Sequence, residues 1–556
     1  MSTDAAPEAD TPLRTTAPDS APPRGKGAHH QSQLPGGRPA AANGEPGGAP
    51  RSPRVAFHTL GCKLNQYETD SLAADFEKAG YTIVPFEEGA DVYVLNTCTV
   101  TNRADRKSRN LLYRTLRAAG KNAPTPGGGG TGGGGEAAGS TGTNGGARPA
   151  GELPRDALVV LTGCFAEGKT QETLLERAPG TDSGRATEGL DGRRLMVVDN
   201  PRKARIVELV EARRRGEVVV PGELDPHLFG FHFTPVFHTR TTIKVQDGCD
   251  NFCTYCIVPY VRGRATSRPA DAVVTEVAES VSKGAREIVL TGVNMSRYRD
   301  GDTTFSALVE RVLELSGDFR VRISSLEPDS IDERFFAVMQ HPKMCPHLHL
   351  CLQSGSDRIL LRMRRQYDTR QFRDIVGRIR RDRRDFNFTT DIIVGFPGET
   401  EEDFAETVAM AREIGFSHIH TFPYSLRSRT RAARMPDHLS NAAKSERAEV
   451  IRRISDENKR RYRRSLIGTT QQVLVERPDP GADREHGYGE LYVPVRIEPA
   501  GAGSPGGAEA PAPGPAANPG AAPELTQNSL VPVELTALGA GEEPVLLGIP
   551  FTERTP

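Results

Sequence analysis

The sequence predicts an α/β protein in three parts: an open parallel α/β domain, a partial (β/α)6 barrel, and a small antiparallel β-barrel. Three observations predict it. Short apolar runs alternate with helical patterns over residues 54–212, as a parallel sheet requires. Six more strand–helix units follow over 238–466. Short β-type runs (TQQVLVE, YVPVRI, SLVPVEL, PVLLGI) fill 467–552.

In the first part, VAFHTL is an apolar run that ends in GCKLNQYE and reads as a strand feeding a helix. That helix, Asn65 to Ala79, is expected to place Leu72, Phe76 and Ala79 on one face. Val92–Cys98 and Ala157–Cys164 read as buried strands, Asn102–Ala118 as a basic helix and Leu195–Asp199 as a fourth strand. A Gly-rich insert, 124–154, divides this part and cannot form a core. In the second part, strands are expected at Thr242–Val245, Glu287–Thr291, Val321–Ser324, His347–Leu352, Thr389–Val394 and His418–Phe422. The third part carries a Gly/Ala/Pro-rich insert, 499–523.

The chain of 556 residues has a formal net charge of −1, so charge as a whole points to no partner. No run of 18 apolar residues exists, so no membrane-spanning helix is expected. Residues 1–53 carry no signal-type apolar segment. Asp4, Glu8, Asp10 and Asp19 argue against a transit peptide, so a disordered tail and a cytoplasmic location are expected.

Eight cysteines in a reducing compartment suggest metal binding or catalysis before disulfides. Cys62, Cys98 and Cys164 each end an expected strand. Ligands of open parallel sheets sit beyond those strand ends, so the three thiols can converge. They read either as buried core cysteines or as a metal site, and three strand-end thiols in one small domain favour the metal site. Cys249, Cys253 and Cys256 form C-x3-C-x2-C in DGCDNFCTYCIVPY. Three thiolates on one short loop can hold a cubane iron–sulfur cluster with one iron left open. Zinc would want a fourth ligand and a partnering C-x2-C pair, and none follows. Cys345 and Cys351 read as packing residues on or near one strand, ahead of a ligand role; His347 and His349 alternate on that strand, which suggests either a metal or, favoured, structural residues.

The loop and the segments after it resemble the radical S-adenosylmethionine (SAM) superfamily: LTGVN (290–294), RISSLEP (322–328), LQSGSD (352–357) and DIIVGFPGET (391–400). With GCKLNQYE, NTCTVT and LTGC ahead of them, and a TRAM-like β-barrel behind, the chain resembles the radical SAM methylthiotransferases. The context GCKLNQYE is most similar to the subfamily acting on threonylcarbamoyladenosine in tRNA; a second subfamily acts on isopentenyladenosine, a third on a ribosomal-protein aspartate. The resemblance implies methylthiolation of C2 of N6-threonylcarbamoyladenosine at position 37 of tRNA. It implies two [4Fe-4S] clusters, one on Cys249, Cys253 and Cys256 and an auxiliary one on Cys62, Cys98 and Cys164. It implies SAM as cofactor, with Gly292, Asn294, Ser324, Glu327, Gln353, Asp391 and Gly395 lining its pocket. An electron donor such as flavodoxin or ferredoxin, and a monomeric state, are expected with it. Two positions depart from the family pattern: Arg364 stands where Asn is usual, and Ser428–Arg429 where Pro–Gly is common.

Two basic runs bear on an RNA partner, the tRNA anticodon stem-loop. Arg362–Arg384 holds ten arginines and three aspartates, and Arg427–Arg464 thirteen Lys/Arg and five Asp/Glu. A basic stripe is the footprint of phosphate binding, although single charge runs are usually solvated helix faces. An iron–sulfur RNA-binding redox sensor is the non-enzymatic alternative.

Overall fold

The computed structural model describes residues 51–120, 157–176, 194–231, 239–476, 486–498, 525–539, 541 and 543–551. The expected tail up to residue 50 and both low-complexity inserts lie outside the described residues.

The N-terminal sheet contains β1 (Arg54–Thr59), β2 (Thr82–Ile83), β3 (Val92–Thr97), β4 (Leu158–Gly163) and β5 (Leu195–Val197). Its order is β2-β1-β3-β4-β5 and every pairing is parallel. Successive side chains of β3 point to opposite faces, so each face builds its own core. Tyr93 and Leu95 pack with Leu112 and Leu116 of the helix Asn102–Gly120. Val92 and Val94 pack with Leu72 and Phe76 of the helix Lys63–Lys78 and with Leu209 of the helix Ile206–Arg214. Ala79 does not join that face. It is the exposed C-cap residue, because Gly80 takes φ +87° and ends the helix.

The central barrel runs through β6 (Thr241–Asp247), β7 (Thr266–Ser267), β8 (Glu287–Gly292), the small hairpin β9 (Arg299–Asp300) and β10 (Thr303–Thr304), β11 (Arg320–Ile323), β12 (His347–His349), β13 (Asn387–Val394) and β14 (His418–Pro423). β6, β8 and β11 pair in parallel, as do β12, β13 and β14. Parallel bridges Val321↔Met344 and Leu326↔Leu350 join the two groups. The six expected strands thus follow one another in sequence order, and no β14–β6 pairing closes the ring among the described residues. The convex face is apolar: Leu350, Ile392 and Ile419 are buried with Met410, Ile451 and Ile454 of the outer helices.

The last part is a closed barrel of β15 (Thr470–Val475), β16 (His486–Tyr488), β17 (Pro494–Ile497), β18 (Leu530–Leu538) and β19 (Leu546–Pro550). One seam, β17 against β19, is parallel and the other pairings are antiparallel. The turn between β16 and β17 meets the N-terminal ends of the central strands. Arg320 donates to Tyr488 O at 3.0 Å, Arg322 to Glu490 O at 3.1 Å and Asn387 Nδ2 to Leu491 O at 2.6 Å. Glu287 neutralises both arginines at 2.6 Å, and they hold its carboxyl far below the usual range despite burial. No helix among the described residues is long and apolar enough to cross a membrane.

Candidate active site and its two cysteine triads

The C-x3-C-x2-C loop leaves the C-terminal end of β6 through Gly248. That residue sits at φ +70°, and a Cβ there would stand 1.9 Å from Arg264 O. The Cys249 N–H donates to Gly263 O at 3.1 Å, and Gln246 Nε2 donates to the carbonyls of Asp247 and Gly248, both at 2.7 Å. Phe252, at φ 45°, turns the chain between the first two thiols. Thr254 ties the loop to the far side of the barrel, its N–H on Met363 O at 3.0 Å and its hydroxyl on Arg362 O at 2.9 Å. Two neighbours reach the sulfurs. Arg365 Nη1 donates to Cys253 Sγ at 3.3 Å, and Asn294 Nδ2 to Cys249 Sγ at 3.5 Å. Burial pushes the Cys256 thiol up to about 12, with Cys253 and Cys249 adding to it.

The expected SAM-pocket residues lie along the strand ends around this loop. Gly292 ends β8 beside Gln246, whose Oε1 accepts the Asn294 N–H at 2.7 Å. Ser324 Oγ donates to Thr291 Oγ1 at 3.1 Å. Glu327 pairs with Arg365 and so joins the Cys253 environment. Gln353, at φ 65°, donates its N–H to Asp391 O at 2.8 Å. A non-glycine residue held there costs of order 1–3 kcal/mol, and such strain concentrates at functional sites. The Gly395 N–H donates to Glu399 Oε2 at 2.7 Å. Asp391 turns its carboxylate to His349 Nε2 at 3.3 Å.

The second triad forms at the edge of the N-terminal sheet. Asn96 pairs with Thr162 and Thr97 with Gly163, so Cys98 and Cys164 follow as neighbours. Gly61, beside Cys62, lies so close that a Cβ on it would be 3.2 Å from Cys98 Cβ. The three thiols sense one another: burial pushes Cys98 up to about 12, and the charges of Cys164 and Cys62 raise it further. Burial also raises Cys164, against the opposing charge of Arg262.

The two triads adjoin. Cys164 packs with Ile257 and Val261, just after Cys256, and Asn200 Nδ2 donates to Val261 O at 2.7 Å. Beneath them lies a buried ionic network that joins the two parts of the chain. Glu68 pairs with Lys203, with Lys244 at 3.3 Å and with Arg262 at 3.1 Å. Asp247 pairs with Lys244 at 2.5 Å and Arg262 at 3.1 Å, and Arg262 Nη2 donates to Asn65 Oδ1 at 2.7 Å. Burial alone would raise Glu68, but Arg262, Lys203 and Lys244 hold its carboxyl well below the usual range.

The remaining sequence candidates divide. Cys345 and Cys351 are buried, as packing residues should be. His347 is buried against the Tyr492 ring at 4.8 Å, whereas His349 faces Asp391 and His420. In the basic run 362–384 one arginine, Arg365, is buried, at Cys253; Arg373 and Arg378 make surface ion pairs with Glu413 at 2.9 Å and Glu333 at 2.6 Å, and Arg364, Arg370, Arg381 and Arg384 are exposed. In the second run, Arg447 is buried on Glu399 at 2.5 Å, while Arg452, Arg453, Arg460, Arg461 and Arg464 are exposed on the helix Asn441–Ser465. Arg262, Arg365, Lys63 and Tyr492 escaped sequence reading, because their partners are far away in the chain.

The donor sets suit iron–sulfur clusters. Each triad has three free thiols, and each is served by a buried guanidinium able to offset thiolate charge. Beside Cys249, the buried Asn294 Oδ1 has no hydrogen-bond partner, which leaves it for a ligand's donor.

Comparison with known proteins agrees with this geometry. A model of the Radical SAM superfamily matches residues 243–411, and one described as uncharacterized protein family UPF0004 matches residues 54–126. The threonylcarbamoyladenosine tRNA methylthiotransferase MtaB of Bacillus subtilis is 34% identical over 453 residues, which is 79% of this chain and 89% of that one. Its counterpart in Thermotoga maritima is 34% identical, over 76% of this chain and 86% of its own. The tRNA-2-methylthio-N(6)-dimethylallyladenosine synthase of Shewanella oneidensis is 30% identical, over 77% and 82%. Among solved structures, a radical SAM methyltransferase from Kitasatospora setae aligns with a TM-score of 0.44 at 14% identity, over 67% of this chain and 75% of that one. The chain belongs to the radical SAM methylthiotransferase family, in its threonylcarbamoyladenosine subfamily.

Proposed function

We propose that this protein methylthiolates C2 of N6-threonylcarbamoyladenosine at position 37 of tRNA. The carrying observation is the adjacency of the two cysteine triads, Cys164 packing on the segment that follows Cys256. The threonylcarbamoyl substrate is favoured by the relatives: those named for it are 33–34% identical, those named for dimethylallyladenosine 30%.

Cys249, Cys253 and Cys256 would hold the [4Fe-4S] cluster that the radical SAM fold uses with SAM, and Cys62, Cys98 and Cys164 a second one. Bound together, such groups supply the electron for reductive SAM cleavage and the sulfur for transfer. The protein's own part is placement and electrostatics. Arg365 offsets charge at Cys253 and is itself anchored by Glu327. Asn294 steadies Cys249 and keeps its Oδ1 toward the SAM side. Gly292, Ser324, Gln353 and Gly395 give that pocket its walls, with Asp391 on the adjoining inner face. Arg262 offsets charge at Cys62 and Cys164. The exposed arginines of the helix Asn441–Ser465 meet tRNA phosphates. A small electron carrier such as flavodoxin or ferredoxin reduces the protein, which acts as a cytoplasmic monomer.

The test is mass spectrometry of tRNA nucleosides from a strain lacking the protein, against its complemented parent. Loss of 2-methylthio-N6-threonylcarbamoyladenosine, with its unthiolated precursor accumulating, is expected. Loss of the isopentenyl derivative instead corrects the substrate. No change in either overturns the tRNA reading.

A further inference from the structure

The inner face of the central barrel carries a second group of donors, apart from both cysteine triads. His349 on β12, Asp391 on β13 and His420 on β14 each offer one donor atom, and these atoms lie within 4.8 Å of one another. The strands are adjacent, and the register sets Asp391 directly opposite His420. Their neighbours Leu350, Ile392 and Ile419 are buried on the convex side, so the trio points into the interior.

We propose that His349, Asp391 and His420 bind one divalent transition-metal ion. Two imidazoles and one carboxylate form a donor set that suits zinc or ferrous iron. A His–Asp pair alone is an ordinary structural hydrogen bond, and four further features go beyond it. The third donor comes from a separate strand. The outer nitrogen of His349, Nδ1, is engaged by Thr389 Oγ1 at 3.0 Å, which leaves Nε2 aimed at the trio. Ligating histidines are usually fixed in this manner by a partner on the other ring nitrogen. The His420 ring is held edge-on by His418, centroids 4.4 Å apart. Finally, His420 is exposed and Asp391 only partly covered, so an ion can enter from the interior. Lys63 and Lys459 also act on His420, which makes the Asp391 carboxylate the attraction the ion depends on. Three protein donors leave coordination positions open for water or a substrate oxygen.

The test uses the full-length, cluster-loaded protein and Zn2+ as probe. After chelator treatment, desalting and titration with Zn2+, metal is counted by plasma mass spectrometry and affinity by calorimetry. The wild type is expected to retain one Zn2+ per chain. Asp391→Asn and His420→Ala are expected to bind it at least tenfold more weakly, with iron content and circular dichroism unchanged. Thr389→Val leaves all three donors in place and is expected to weaken binding about 10- to 100-fold. Equal zinc uptake by wild type and the ligand variants would place the metal elsewhere, on vacant cysteines for example, and overturn the proposal. Absence of tight Zn2+ binding by the wild type overturns it too. Neither readout involves tRNA or turnover, so the result stands apart from the proposed reaction.

Discussion

The Lys63 ammonium lies over the ring of Tyr492, 4.7 Å from its centroid. Lys63 follows the first auxiliary thiol, Cys62, and Tyr492 belongs to the C-terminal barrel. Burial alone would push the phenol up. The charges of Lys63, Arg240 and Arg322 outweigh it and bring the group down to about 7. Folding therefore favours the phenolate. That stabilisation is complete above the ordinary value near pH 10 and is lost as pH falls through about 7. A tyrosinate absorption step with a midpoint near pH 7 is expected in the wild type. It should vanish in Tyr492→Phe and move upward in Lys63→Met. A wild type without tyrosinate below pH 9 contradicts the contact.

Glu68 is the hinge of the buried network. Glu68→Gln leaves Lys203, Lys244 and Arg262 with only Asp247 as a buried counter-charge. Breaking a buried ion pair from one side costs about 3–5 kcal/mol. Denaturant unfolding should show a loss of that order, and a loss under about 1 kcal/mol would mean the network is solvated. Its folded carboxyl is depressed, so the wild-type contribution is complete above pH about 4.5 and fades at lower pH.

Gly163 sits at φ +91°, and a Cβ there would fall 2.3 Å from Thr97 O and 2.6 Å from Thr97 N. Gly163→Ala must push apart the strand ends that carry Cys98 and Cys164. After anaerobic reconstitution, iron content should fall by roughly half, as expected when one of two cysteine-ligated clusters is lost. The signal of the Cys249 loop cluster should persist. Undiminished iron would show that the auxiliary triad does not depend on this turn.

The two triads should fail differently. Cys253→Ala is expected to abolish reductive SAM cleavage. Cys98→Ala is expected to keep that cleavage and lose methylthio transfer to tRNA. Identical losses in both assays would merge the roles assigned to them.

Arg364 and Arg429 occupy left-handed backbone, at φ 62° and 77°. These are two of the positions where the sequence departs from Asn and Gly. Asn tolerates this conformation and Arg does so at a cost of roughly 1 kcal/mol. Arg429 is partly compensated, its guanidinium 5.0 Å from the Tyr260 ring centroid. Exposed Arg364→Asn should therefore stabilise the protein by a few tenths to about 1 kcal/mol in thermal unfolding. Destabilisation would reveal a contact that Arg364 makes in function.

Legibility in the sequence followed the range of the interaction. Alternating apolar runs placed β1, β3, β4 and the six central strands, because burial on a sheet is a local pattern. The thiols of both triads were legible because cysteine is rare and chemically specific. Arg262 was not, since its partners Asn65 and Glu68 lie nearly two hundred residues upstream. Arg365 was hidden inside a basic run that looked like an RNA-facing stripe, yet it is buried at Cys253. For His349 the sequence offered only its alternating neighbour His347 as a metal companion, and the structural reading was favoured, because Asp391 and His420 arrive from two other strands.

The turn carrying Tyr492 stops the lower mouth of the central barrel. A truncation that removes residues 467–552 would thus reach the central barrel itself. It would unplug the vessel, strip Arg322 and Asn387 of their carbonyl acceptors, and let water into the chamber from the end opposite the thiols. The terminal barrel is thus a stopper, and a core fragment without it should admit solvent at that end.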